Sequence, residues 1–164
     1  MRPLTVFIFV ALFVNGCVTR QAVTAEAHEN DDILDAVFRH ISHVEPVASE
    51  GSHYLNLSHK VYFVALSDSQ DPSPRFIQRF RDYAVPVKPF SAALRKDSYV
   101  YDKVTGERGA AFYFRAISRL GRHKAEVEVD FAPGGGLSAS GYLYRVVQRE
   151  GKWRVTGEKL RWVS

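Results

Sequence analysis

The 164-residue chain carries 22 Lys and Arg against 18 Asp and Glu, a formal net charge of +4, with 46% hydrophobic residues and one cysteine. That length suits one packed domain and is short for two. One cysteine excludes an internal disulfide, and basic residues interspersed with acids lack the clustering of a nucleic-acid footprint, so Arg75, Arg79 and Arg81 read as a solvated helix face and no nucleic-acid partner is expected.

Met1-Arg2-Pro3 is a short basic start, and Leu4 to Val14 is an apolar run broken only by Thr5. A bilayer-spanning helix needs about 20 apolar residues, so this run is too short to span. Basic start plus short apolar run is the pattern of a signal peptide, residues 1–16. The four residues Val14-Asn15-Gly16-Cys17 then resemble a bacterial lipobox, with Asn15 standing where a small or aliphatic residue is usual. The resemblance implies a diacylglycerol on the Cys17 sulfur, cleavage before it, and usually acylation of its new amine. It implies a bacterial cell-envelope protein anchored to a membrane through that lipid, the outer membrane facing the periplasm if the cell is Gram-negative. Several acyl chains are needed, because one chain binds a membrane only marginally. A plain secretory signal with an unmodified cysteine, or an apolar anchor that is never cut, are the other readings of these residues.

Residues 17–29 comprise that lipidated cysteine and a polar, Ala-rich stretch without a strong period, read as a mobile tether. The single domain is expected over 30–164. Asn30 reads as a helix N-cap, with Asp31 and Asp32 in the first turn, where negative charge suits the helix dipole. Ile33, Leu34, Val37, Phe38 and Ile41 recur at helical spacing and should face the core. Pro46 bars continuation of that helix.

Tyr54 to Leu66 is rich in aromatic and β-branched residues and predicts a strand. Ser73-Pro74 predicts a helix start, followed by Phe76, Ile77, Phe80 and Tyr83 at helical spacing. Val85 to Pro89 must be extended, because proline biases the residue before it away from helix. Tyr99 to Val104 predicts a short strand ended by Thr105-Gly106.

From Ala110 to Val163 the pattern is a four-stranded antiparallel meander with one buried face. Ala125, Val127, Val129 and Phe131 alternate with Lys124, Glu126, Glu128 and Asp130, the clearest period of two in the chain. Phe112, Phe114, Ala116 and Leu120 share a parity, with Tyr113, Arg115 and Arg119 opposite. Leu120-Gly121-Arg122 reads as a hairpin turn, Pro133 to Gly136 as a looser connection, and Glu150-Gly151 as a tight turn. A bulge near Gly157 would bring Trp153, Val155, Leu160 and Trp162 to one face.

The order of elements predicts an α+β fold, an N-terminal helix packed on a curved antiparallel sheet that ends in the meander. It resembles the cystatin-like and NTF2-like superfamily, as does the closing turn Glu150-Gly151-Lys152-Trp153. The chain also resembles bacterial lipoproteins of similar length whose functions are not characterised, and the ligand remains open on that resemblance. Some NTF2-like enzymes, dehydratases or hydrolases, use a buried Asp and His inside the cone of sheet and helix. His59 and Asp102 are the weak candidates here. Asp130 and Glu128 fall on the polar parity, and His123 adjoins a turn. His59 and Asp102 are expected to be solvated and independent.

No Walker loop, HExxH, CxxC or nucleophile elbow occurs, so no catalytic, metal or cofactor motif is read. Gly134-Gly135-Gly136 lacks the strand-to-helix context of a phosphate loop. His40 and His43, three apart near a helix end, lack a third ligand and suit the helix dipole instead. Tyr99, Tyr101, Tyr113, Tyr142, Tyr144 and Trp162 either fill the core or form a binding face for a small ligand or another envelope protein. A non-catalytic binding domain is therefore the expected function, with the NTF2-like enzyme as the alternative.

Overall fold

The strand that organises the sheet is β6, Arg108–Gly121. A computed structural model describes residues 19–22, 28–44, 59–67, 70–132 and 139–164. The signal segment, Cys17, Tyr54 to Ser58 and Pro133 to Gly136 lie outside the described residues.

On one edge β6 pairs antiparallel with β7 (Lys124–Ala132), which continues into β8 (Ser140–Arg149) and β9 (Lys152–Val163). This is the expected meander. Its last hairpin turns on Glu150 and Gly151, whose φ values of 52° and 75° fit a two-residue turn matched to strand twist. On the other edge β6 pairs with β2 (Val61–Leu66), and that pairing is parallel. β3 (Val87–Pro89) lies parallel on the far side of β2. The sheet is thus mostly antiparallel but mixed, which corrects the all-antiparallel expectation. A parallel pair needs a long crossover, and residues 67–86, with helix α2 (Pro74–Gln78), supply the one between β2 and β3. α2 starts as expected, with the Ser73 Oγ accepting from the Phe76 N–H at 3.1 Å.

Thr19–Ala22, read as part of a mobile tether, form strand β1, which pairs antiparallel with β6 from Ala116 to Arg119. Helix α1 spans His28–Val44, so Asn30 is inside its first turn rather than capping it. The Asn30 side chain is buried, and its Oδ1 accepts from Arg119 Nη2 at 2.8 Å. The apolar stripe of α1 packs on the sheet as expected. Phe38 is fully buried, with its ring 4.7 Å from Phe80, 5.3 Å from Phe112 and 6.3 Å from Tyr62 between centres.

One-sided burial holds for β7, where Ala125, Val127, Val129 and Phe131 are buried. It fails at β2 and the first half of β6. All six residues of β2 are buried, as befits a strand covered on both faces. Its outer face joins a second apolar cluster of Val61, Phe63, Ala65, Val100, Ala111 and Tyr113. A 3-10 turn (Phe90–Ala92) and the hairpin of β4 (Ala93–Lys96) and β5 (Tyr99–Asp102) contribute to that cover.

Three register shifts revise which side chains face the helix. The register of β6 against β7 shifts between Phe114 and Ala116, and an extra residue there flips the parity. Ile117 and Arg119 therefore face α1, not Ala116 and Leu120. The predicted bulge near Gly157 is present, with Arg145 opposite Gly157 but Val146 opposite Val155. A second shift, between the pairs Tyr142–Leu160 and Gly141–Trp162, returns Trp162 to the outer face. Trp153 and Val155 pack on the core, while Trp162 lies over Gly141, where any Cβ would come within 2.0 Å of its Nε1.

Candidate functional site

The weak candidates His59 and Asp102 are not joined. Asp102 is 3% exposed, contrary to the solvated expectation. Its carboxylate pairs with the Lys88 ammonium and accepts from the Val104 N–H at 2.9 Å. Its own carbonyl accepts from the Gly106 N–H at 2.9 Å, closing the turn after β5. The Lys88 hydrogen bond, then that of Val104, hold the carboxyl below its ordinary range. Asp102 is thereby a structural anchor. Both ring nitrogens of His59 are buried with no hydrogen-bond partner among the described residues. Burial, and secondarily the Arg108 charge, lower its pKa from the ordinary 6.5.

We expect the imidazole of His59 to titrate below 6.5, unmoved by Asp102→Asn and raised by Arg108→Ala. A histidine with a depressed folded pKa binds its proton more readily when unfolded, so its contribution to stability is complete above 6.5 and declines as pH falls from there toward the folded value. NMR titration of the three proteins checks this, and a shift of a full unit on Asp102→Asn would restore the paired reading.

The acids of β7 are likewise engaged. Asp130 Oδ2 meets Arg115 Nε at 2.5 Å, Glu128 meets Arg161 at 2.6 Å, and Glu126 meets Arg145 at 3.2 Å. These guanidiniums leave the three carboxylates only partly exposed, where the polar parity alone predicted plain solvation. His123 is exposed as expected, its Nδ1 2.9 Å from Gln148 Oε1. His40 Nε2 lies 3.6 Å from Glu158 Oε2, and the His43 side chain is outside the described ones. No cluster of three metal-ligating side chains occurs among the described residues.

Five of the six aromatic side chains divide between the two faces. Tyr144 is in the helix-side core and Tyr142 packs against it. Tyr99, Tyr113 and Trp162 instead line a cavity of about 290 Å³ on the outer face, with Arg95, Arg115 and Asp130. The Tyr113 ring is flanked by two guanidiniums, Arg95 Cζ at 5.4 Å and Arg115 Cζ at 5.2 Å from its centre. Arg95 Nη2 donates to the Tyr113 hydroxyl, and Arg95 Cζ sits 5.0 Å from the Phe90 ring. Arg115 is committed to Asp130 and to the Ser67 carbonyl at 3.0 Å. Arg95 meets no carboxylate among the described residues.

Arg95 and Arg115 were not singled out by sequence. A signal for Arg95 exists in Asp97-Ser98, which have φ of 49° and 66°. Two positive-φ residues make the tight turn that pairs β4 with β5, but Asp-Ser is a weaker hairpin signature than Asn-Gly.

A larger groove of about 700 Å³ runs between α1 and the β8–β9 turn, lined by Asp32, Asp35, Arg39, His40 and Trp153 among others. Its acids are already paired, Asp32 with Arg79 at 2.8 Å and Asp35 with Arg39 at 3.0 Å. Comparison with protein-family models, with curated proteins and with solved structures gives no match. No helix among the described residues is long and apolar enough to cross a membrane.

Proposed function

We propose that the chain is an envelope lipoprotein, held to a membrane through lipid on Cys17, whose cystatin-like or NTF2-like domain is a non-catalytic binding module. The observation that carries the binding reading is where space is left. Between α1 and the sheet, Phe38, Phe80, Phe112 and Phe114 are buried in one apolar cluster. The enzyme alternative, a dehydratase or hydrolase, needs a polar pocket in that region. The helix-side groove has its acids paired with Arg79 and Arg39, whereas the cavity on the opposite face joins several aromatic walls to a cation that meets no carboxylate among the described residues, and such a combination is typical of binding sites. Val14-Asn15-Gly16-Cys17 behind an apolar run supports the anchor.

Cys17→Ala is expected to leave the protein uncut or to release it from membranes. Fractionation with mass spectrometry of the mature N-terminus checks this. An intact Met1, or an unmodified Cys17 in mature protein, would refute the anchor.

A further inference from the structure

We infer that the outer-face cavity binds a small organic carboxylate with a flat apolar body, and that Arg95 is the group that holds its charge. The inference rests on the binding-module reading and names its ligand class.

Charge comes first. Arg95, Arg115 and Asp130 are the charged residues lining the cavity. Asp130 is taken by Arg115 at 2.5 Å, so the formal excess of one positive charge falls on Arg95. A guanidinium carries five N–H donors in a planar fork, which suits a planar carboxylate bidentately. Among the described residues those donors have one hydrogen-bond partner, the Tyr113 hydroxyl.

The group is also held in place. Its Cζ stands 5.0 Å from the Phe90 ring and 5.4 Å from that of Tyr113, and Tyr113 itself is 5% exposed. Stacking on two rings fixes the fork before a ligand arrives, which lowers the ordering cost of binding.

The walls supply the rest of the specificity. Tyr99 and Trp162 offer apolar surface for a flat body. Trp162 reaches the cavity because Gly141 beneath it has no side chain. A volume of about 290 Å³ sits at the small end of ligand pockets, about 300–1,000 Å³, so a single-ring acid fits better than a polymer. One guanidinium that meets no carboxylate among the described residues matches a monoanion better than a phosphate dianion.

The test uses the full-length purified chain in detergent, with benzoate, benzyl alcohol, benzylamine and inorganic phosphate as probes. The readout is the Trp162 indole N–H resonance, assigned by its loss in Trp162→Phe. Benzoate should shift it saturably, and the other three should bind about tenfold more weakly or less, as expected for loss of a charge-assisted hydrogen bond. Arg95→Gln should weaken benzoate about tenfold and leave benzyl alcohol unchanged, with Arg95→Lys in between. Benzyl alcohol or benzylamine binding as tightly as benzoate would overturn the carboxylate assignment while the binding module stands. Phosphate competing equally with benzoate would overturn the flat-body assignment. Unchanged benzoate affinity in Arg95→Gln would overturn the role of Arg95. Silence of Trp162 toward every probe would overturn the inference, while the binding-module reading would then rest on a macromolecular partner.

Discussion

Val127→Asp is expected to unfold the domain, while Glu128→Lys leaves it folded. Val127 is fully buried, paired across β7 with Ile117 and Tyr144. A carboxylate there has no partner and costs several kcal/mol, against a total stability of about 5–15 kcal/mol for an ordinary domain. Glu128 points to the outer face and meets Arg161 at 2.6 Å. Reversing its charge removes that pair and should cost about 1 kcal/mol, the upper end for partly exposed pairs. Urea unfolding followed by circular dichroism separates the two. Equal losses would mean that β7 is buried on both faces, as β2 is.

The second large effect is expected from Lys88→Met. The Asp102 carboxylate is 2% exposed and Lys88 is its cationic partner. Removing one member of a buried pair costs about 3–5 kcal/mol, because the other charge stays buried without compensation. Lys88 is itself 33% exposed, which places the loss at the lower end of that range.

The pH dependence follows from the sign of the shift. In the wild type the Asp102 carboxyl is held below its ordinary 3.8. Its contribution is therefore fully present above 3.8 and is lost as pH falls through the folded value. In Lys88→Met the main cause of the lowering is gone and burial pushes the carboxyl upward, so the deficit should be greatest at neutral pH and narrow in acid. Replacing both partners, Lys88→Met with Asp102→Leu, should recover most of the loss, since two matched apolar groups leave no buried charge. Urea midpoints at pH 7 and pH 4 read all three proteins. A single-variant loss below half a kcal/mol would mean that the pair is solvated in practice.

Where local chemistry decides a segment, the sequence was legible. The alternation from Lys124 to Phe131 is one strand seen from its two faces, and β7 follows it residue by residue. The stripe from Ile33 to Ile41 identified the buried face of α1. Ser73-Pro74 marked a helix start, because an N-cap oxygen and a proline at the first position act within a few residues. Glu150-Gly151 marked the last turn. The bulge near Gly157 was legible too, from the change of apolar parity between Val155 and Leu160, but the further shift that turns Trp162 to the outer face was not.

The sequence by itself determined an α+β chain with one amphipathic helix and a β meander, since propensity, periodicity and turn chemistry are properties of neighbouring residues. Tertiary structure alone decided whatever depends on residues far apart. A run such as Val61 to Leu66 is apolar on both parities, and nothing local states that its neighbour runs parallel. The shift at Arg115 sends Arg119 to Asn30, 89 positions away, and the shift near Arg161 sends Trp162 away from Trp153. The same holds for the sites. His59 and Asp102 looked alike in sequence, but the fold gave Asp102 a lysine 14 positions back and left the ring nitrogens of His59 buried without a hydrogen bond among the described residues. Arg95 became the cation of an aromatic cavity, meeting no carboxylate among the described residues, because β4 pairs with β5, which pairs with β6, a juxtaposition set by strand pairing and long-range packing rather than by spacing along the chain.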